Sequence, residues 1–282
     1  MTYKELLSKA CSLIKKYNKE EEAIKFLLLE MSGLSNTQFY LDFNKEVDSK
    51  LVDSFLSSAK EYIDNDVPIQ HILGYSYFYG RKLIVTNNSF IPRNETEELV
   101  ENVLLAYDEY FYPKKVDCID LGTGSGCIAI SLALEESNMN VSATDLSTNA
   151  LEVAKNNALN NGANVKFLTS NWFDNVEGKY DIIVSNPPYI PNLEVLDNVV
   201  LKDPSLALFG GQDGTDFYET ILKNASAHLN DYGLIAFEHG FNQAEKIGEY
   251  ARKFLNDPQI KVIKDMQGKN RITLIGIGGV LK

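Results

Sequence analysis

Asn186, Pro187, Pro188 and Tyr189 stand together directly after YDIIVS (180–185), a short apolar run that reads as a buried strand. Two consecutive prolines hold φ near one value and contribute carbonyl oxygens with no N–H beside them, so the backbone offers acceptors in a rigid frame. Asn186 adds a side-chain carbonyl and Tyr189 an aromatic face for stacking. Such a set of acceptors suits the nitrogen of an amide or an aromatic amine, whose lone pair is delocalised into the neighbouring π system. Asn186 and Pro187 are placed to take the two hydrogens of that nitrogen and aim its lone pair at an electrophilic carbon. These two are the candidate catalytic residues, and Asn186, Pro187, Pro188 and Tyr189 the candidate substrate-binding set. Taken alone, an Asn-Pro-Pro run also marks an ordinary rigid turn.

The electrophile is suggested upstream. Asp120-Leu121-Gly122-Thr123-Gly124-Ser125-Gly126 closes the run VDCIDL (116–121) and enters a helical stretch, where glycines let backbone approach a ligand with no Cβ in the way. Asp145 ends the next strand-like stretch, 19 residues after Gly126, at an offset where a carboxylate accepts hydrogen bonds from ribose hydroxyls. A dinucleotide fingerprint spaces its glycines G-x-G-x-x-G, whereas this turn reads G-x-G-x-G, so a nucleoside with no phosphate to cradle fits better. S-adenosyl-L-methionine is a cofactor of that kind, a dinucleotide being the weaker reading, and its sulfonium methyl would be the electrophilic carbon. The loop then lies under the methionine and ribose portion, and Asn171-Trp172, after VKFLTS (165–170), borders the adenine with a hydrogen bond and a flat face. The candidate cofactor-binding residues are Gly122, Thr123, Gly124, Ser125, Gly126, Asp145, Asn171, Trp172 and Asn186.

Positioning these loops requires an alternating array. After Pro113 the chain switches between short apolar runs (116–121, 141–146, 165–170, 180–185, 234–239) and helical stretches starting near Gly126, Ser147, Thr215 and Asn242. That alternation predicts an α/β fold of βαβ units with a parallel sheet, closed by KVIKDM and RITLIGI around a Gln267–Asn270 turn. From Thr2 to about Tyr62 apolar residues recur at helical spacing, as in Leu6, Ala10, Leu13 and Ile14, with a capping box at Thr2 and Glu5 and a break at Ser32-Gly33. Residues 75–91 are aromatic and β-branched, split by a Gly-Arg and an Asn-Asn turn, and read as a hairpin joining two domains. Asn94 with Glu97 predicts a second capping box.

The chain of 282 residues is long enough for an enzyme core plus an accessory unit, and no stretch is apolar enough to span a membrane. The start of the chain lacks a secretory signal and reads as mature structure. Cys11, Cys118 and Cys127 show no disulfide or zinc spacing, which points to the cytoplasm. A net charge of −12 opposes stable binding of nucleic acid. His71, His228 and His239 lack metal-ligand spacing, so no metal is expected. Glu238, His239 and Arg271 read as structural ions or caps, and Gly210-Gly211-Gln212 as a polar loop before a helix.

Over nearly its whole length the chain resembles the PrmC/HemK family of protein glutamine methyltransferases, which act on peptide chain release factors. The resemblance is carried by PIQHILG (68–74), IPRNETEELV (91–100), DLGTGSG (120–126), SNW (170–172), SNPPYI (185–190), LFGGQDG (208–214), EHG (238–240) and Asp265…Gly268…Arg271. It implies a Rossmann-like, seven-stranded S-adenosylmethionine-dependent methyltransferase domain over residues 92–282. Ahead of it come a smaller N-terminal helical bundle over 1–74 that docks a class I release factor and a hairpin linker over 75–91. It also implies that Gly122 to Gly126, Asp145 and Trp172 bind the cofactor and that Asn186 to Tyr189 bind the substrate glutamine. Asn171 and Asn94 depart from the Asp and Pro often found in the family; the first makes a charged adenine contact neutral. Methylation of a ribosomal protein glutamine, an adenine- or guanine-directed nucleic-acid methyltransferase and a catalytically silent nucleoside-binding module remain as alternatives.

Overall fold

Apolar residues three and four apart bring the N-terminal helices together. In the computed structural model, which describes residues 1–17 and 19–282, the chain divides into two compact units. One comprises residues 1–75 and 196–202, the other residues 76–195 and 203–282. The first holds α1 (Tyr3–Ile14), α2 (Glu21–Ser32), α3 (Asn36–Leu41), α4 (Ser49–Asp64) and α5 (Ile69–Leu73). Leu6, Ala10, Ile14, Ile24, Leu27, Leu28, Phe39 and Phe55 fill its core. Thr2 and Glu5 form the expected capping box, with Thr2 Oγ1 3.2 Å from Glu5 N and Glu5 Oε2 3.0 Å from Thr2 N. Gly33, at φ +67°, ends α2.

The second unit is built on a seven-stranded sheet. Strands β1 (Tyr75–Phe78) and β2 (Arg81–Ile84) precede it as a separate hairpin, turned through Tyr79 and Gly80, both at positive φ. Then follow α6 (Asn94–Tyr110), β3 (Val116–Leu121), α7 (Cys127–Glu135), β4 (Met139–Asp145), α8 (Thr148–Asn161), β5 (Val165–Thr169) and β6 (Tyr180–Ser185). The chain finishes with α9 (Asp216–His228), β7 (Leu229–Glu238), α10 (Ala244–Phe254), β8 (Gln259–Lys264) and β9 (Asn270–Ile277). The strand order is β5-β4-β3-β6-β7-β9-β8, parallel except for β9, which runs antiparallel to both neighbours.

Period-two alternation sends successive side chains of each strand to opposite faces. Cys118, Ile182, Val184, Leu234 and Ala236 pack with α6 and α7, whereas Ile119, Leu121, Ile183, Ile235 and Phe237 pack with α9 and α10. Both faces are therefore covered, as a parallel sheet requires. Because β3 leads outward through β4 to β5 and the chain then returns to place β6 on its other side, a crevice opens at the carboxyl ends of β3 and β6. Among the described residues no helix is long and apolar enough to cross a membrane.

Two local features differ from the sequence expectations. Helix α6 begins where expected, but the Asn94–Glu97 capping box does not form: Arg93 is the N-cap without a side-chain bond, and Glu97 accepts instead from the backbone N–H of Tyr79 at 2.6 Å. The hairpin turn outcompetes the helix end for that carboxylate. Strand β7 starts at Leu229, ahead of the expected Leu234, because Tyr180 of β6 pairs with Leu229 across a register shift.

A buried amide helps fasten the hairpin to the sheet unit. Asn157 of α8 is fully buried; its Oδ1 accepts from Ile84 N at 2.7 Å and its Nδ2 donates to the carbonyls of Ile84 and Ser125, both at 2.9 Å. The prediction is that Asn157→Ala, which orphans these groups, lowers unfolding free energy by about 1–3 kcal/mol. Urea titration checks it, and an unchanged midpoint would refute the fastening role.

Candidate active site

The four sequence motifs end on four adjacent strands. In spatial order they are Asn171-Trp172 after β5, Asp145 at the end of β4, Gly122–Gly126 after β3 and Asn186–Tyr189 after β6. All of them except Gly126 line one cavity of about 350 Å³, together with Phe90, Thr96 and Phe217. Gly126 lies just behind, at φ +84°, where a Cβ would press on Ile130 and Ala154 at 3.0 and 3.1 Å.

The glycine turn and Asp145 support each other. Gly122 and Thr123 donate to the Thr144 carbonyl at 2.9 and 2.8 Å, and Gly124 N–H donates to Asp145 Oδ2 at 2.8 Å. Asp145 Oδ1 accepts from Ser147 N at 2.8 Å, which joins the acid to the start of α8. A carboxylate has about four lone-pair sites, so these two bonds leave acceptor capacity toward the cavity. Burial pushes the Asp145 carboxyl above its ordinary range, against the pull of the Ser147, Gly124 and Leu146 amides. Behind the turn, fully buried Asp120 accepts from Thr123 Oγ1 at 2.6 Å, and burial raises it to about 7.

Trp172 adopts φ +50°, costly for a non-glycine residue. Its ring lies over Gly122, with Cζ3 3.4 Å from the place a Cβ would occupy, and 5.1 Å from the Phe217 ring centroid. That distance is ordinary contact, so it is the φ of +73° that favours glycine at position 122. Asn171 is exposed; its Nδ2 donates to Asp174 Oδ2 at 3.1 Å, which turns its Oδ1 the other way.

Pro187 and Pro188 carry the chain away from β6, and Asn186 is held from behind. Its Nδ2 donates to Thr96 Oγ1 at 3.1 Å, and Thr96 Oγ1 lies 2.7 Å from Glu238 Oε2. Among the described residues no hydrogen bond engages Asn186 Oδ1 or the Pro187 carbonyl. Burial pushes Tyr189 up to about 12, so its phenol stays protonated.

The loop at 208–214 packs under this segment. Ile190 N donates to Leu208 O, Gly210 N to Ile190 O and Asn192 N to Gly211 O, each at 2.9 Å. A Cβ on Gly210 would collide with the Pro188 carbonyl oxygen, and one on Gly214 with that of Tyr189. Gly210 and Gly211 are thus part of a backbone-to-backbone support. Gln243, buried ahead of α10, completes it by donating to the carbonyls of Tyr189 and Gly214 at 2.8 and 3.1 Å while accepting from Gly240 N at 2.8 Å.

A profile described as PrmC N-terminal domain matches residues 5–74, and one described as Methyltransferase small domain matches residues 104–202. The release factor glutamine methyltransferase of Streptococcus pneumoniae is 37% identical over 262 residues, covering 92% of either chain. That of Bacillus subtilis is 35% identical over 274 residues, 95% of either chain. The chain belongs to the release factor glutamine methyltransferase family. A methyltransferase structure from Pyrococcus furiosus shares the fold, with a TM-score of 0.54 at 24% identity over 72% of this chain and 91% of that one.

S-adenosylmethionine is accordingly the cofactor, and the cavity suits it. Gly122, Thr123, Gly124, Asp145 and Trp172 line it side by side, which puts the glycine turn, a carboxylate for a ribose and a flat ring within one cavity. Sequence reading missed Thr96, Glu238, Gln243 and Asn157 as supports of the site. Thr96 lies inside IPRNETEELV and Glu238 in EHG, so both stood within stretches already singled out.

The prediction from this geometry concerns Asp145→Asn. An amide presents one acceptor oxygen where the Gly124 and Ser147 amides and a ribose need three acceptor sites. Loss of a charged hydrogen bond worth about 1.5–3 kcal/mol weakens S-adenosylmethionine binding by roughly 10- to 150-fold. Calorimetric titration measures it, and wild-type affinity would remove Asp145 from the site.

Proposed function

We infer that this chain transfers a methyl group from S-adenosylmethionine to the side-chain amide nitrogen of glutamine in the Gly-Gly-Gln motif of class I peptide chain release factors. The observation that carries the reading is the pair of unengaged acceptors, Asn186 Oδ1 and the Pro187 carbonyl, in the same cavity as the glycine turn. The names of the relatives supply the substrate class.

Bound S-adenosylmethionine supplies a methyl group on a positively charged sulfur. Gly122 to Ser125, Asp145, Asn171 and Trp172 would hold it, with Gly126 behind them closing the turn, while Asn186 and Pro187 would hold the glutamine amide by its two hydrogens. Binding both hydrogens fixes the plane of the amide and leaves its lone pair directed across that plane. Orientation of this kind supplies several kcal/mol of barrier lowering, up to about 7–11 in the best intramolecular cases. No side chain need remove a proton first, because methylated nitrogen is positively charged and acidic, and sheds its proton afterwards.

Pro188 and Tyr189 complete the glutamine site, their carbonyls braced by the 208–214 loop. The N-terminal helical unit docks the release factor, and the residues of the second unit perform the chemistry. The reaction belongs in the cytoplasm, where release factors act. The net charge of −12 weighs against a nucleic-acid substrate.

Incubation with labelled S-adenosylmethionine, a release factor, a ribosomal protein and DNA tests the substrate. The label is expected on the release factor glutamine, and exclusive labelling of either other component would overturn the assignment. Asn186→Ala is expected to keep cofactor affinity and lose about 10²–10³ in methyl-transfer rate, the usual effect of removing one preorganised polar group. Transfer at the wild-type rate would sink the acceptor clamp.

A further inference from the structure

We propose that Thr96 and Glu238 are positioning residues that fix which end of the Asn186 carboxamide faces the substrate; the proposal rests on the amide-methylation reading above. The oxygen and nitrogen ends of an asparagine amide have nearly the same shape, so packing alone does not choose between them. The reaction needs the oxygen forward, because an N–H₂ group would meet the N–H₂ of the substrate amide donor against donor.

Hydrogen-bond polarity makes the choice. A carboxylate only accepts, so the single hydroxyl hydrogen of Thr96 goes to Glu238 Oε2, 2.7 Å away. The Thr96 oxygen is then left as an acceptor, and Asn186 Nδ2 donates to it at 3.1 Å. The Asn186 amide also favours the charged form of the Glu238 carboxylate. Both groups behind the amide are acceptors, so its nitrogen is drawn back and Oδ1 is presented to the cavity. Thr96 and Glu238 are 2% exposed, which keeps water from supplying a competing donor.

Protonation of Glu238 reverses this polarity. A neutral carboxyl donates to Thr96, whose hydrogen is then free to turn toward Asn186 and draw its oxygen back. Around Glu238 stand Arg271 of β9, which favours the carboxylate, Glu95 of α6, which opposes it, and the neutral phenol of Tyr189. Tyr218 donates to the Glu238 carbonyl at 2.9 Å, and neighbouring His239 is occupied by Thr273 Oγ1 and the Gly240 carbonyl. Burial outweighs the favourable contacts and raises Glu238 to about 7. The carboxylate form, and with it the productive amide orientation, is therefore lost as pH falls through about 7.

The experiment uses the full chain with S-adenosylmethionine and a release factor, reading kcat and KM across the neutral pH range and cofactor affinity by calorimetry. Wild-type kcat is expected to fall on the acid side of about 7, and Glu238→Gln, which cannot titrate, to lose that fall. Thr96→Val, which keeps the shape and removes the hydroxyl, is expected to lower kcat by about 10²-fold with cofactor affinity within two-fold of wild type. Thr96→Ser is expected to restore kcat, and Thr96→Ala replaces Thr96→Val if the latter fails to fold. A wild-type kcat with no acid limb, an acid limb retained in Glu238→Gln, or a folded Thr96→Val or Thr96→Ala at wild-type kcat would each overturn the relay. The wild-type label keeps the two claims apart: no label on glutamine defeats the functional reading, whereas labelled glutamine with unaffected variants defeats only the relay.

Discussion

An amide nitrogen reaches a methyl donor productively only if its two hydrogens are bound by acceptors and its lone pair is left bare. That requirement rules out most of what a protein surface offers, since backbone N–H groups, lysines and arginines would all present donors. The segment after β6 meets it by composition: prolines 187 and 188 have no N–H, and Asn186 donates backward to Thr96. The rest of the second unit follows from keeping this segment rigid and placing it beside the glycine turn. The sheet order does the second task, because β3 and β6 are hydrogen-bonded neighbours and the loops leaving their carboxyl ends share one crevice.

Rigidity comes from a second layer of backbone. Residues 208–214 run against 188–192 so closely that Gly210 and Gly214 have no room for a Cβ, and Gln243 joins the two strips through their carbonyls. Three glycines in this loop cost conformational entropy on folding. What they allow is contact between two stretches of main chain with no side chain between them, where small displacements are resisted by several hydrogen bonds together. Gly210 and Gly211 of the Gly-Gly-Gln tripeptide therefore have a packing explanation, while Gln212 is exposed.

The parts of the site legible in the sequence are those whose chemistry is local. Glycines at Gly122, Gly124 and Gly126 announce positive φ, and all three show it. The strands carrying the motifs announce themselves through compact apolar runs, and β3 and β6 begin and end where those runs do. Asp145, Asn171 and Trp172 were placed by offset from those strands. Illegible were residues whose partners lie far along the chain. Thr96 looks like one more polar residue in a helix start, yet its partners are 90 and 142 residues away. Asn157 sits in the polar stretch of α8 and reads as solvated, while it is fully buried against the hairpin and the glycine turn. The failed Asn94–Glu97 box has the same origin: the local rule names an acceptor's nearest donor, and the fold brings a different one closer.

Both walls of the cavity are built on the same device, a buried acid that takes a threonine hydroxyl hydrogen. At the glycine turn Asp120 accepts from Thr123, and beside Asn186 Glu238 accepts from Thr96. Burial raises each acid to about 7, so desolvation is nearly balanced against the hydrogen bonds that favour charge. The consequences differ because the next link differs. Thr123 lies within the turn beside Asp120, and its backbone is already fixed on the Thr144 carbonyl, so a change of charge on Asp120 alters strain within one rigid loop. Thr96 instead stands between its acid and a side-chain amide with two nearly equivalent orientations, so there a change of charge bears on which end of that amide turns toward Thr96.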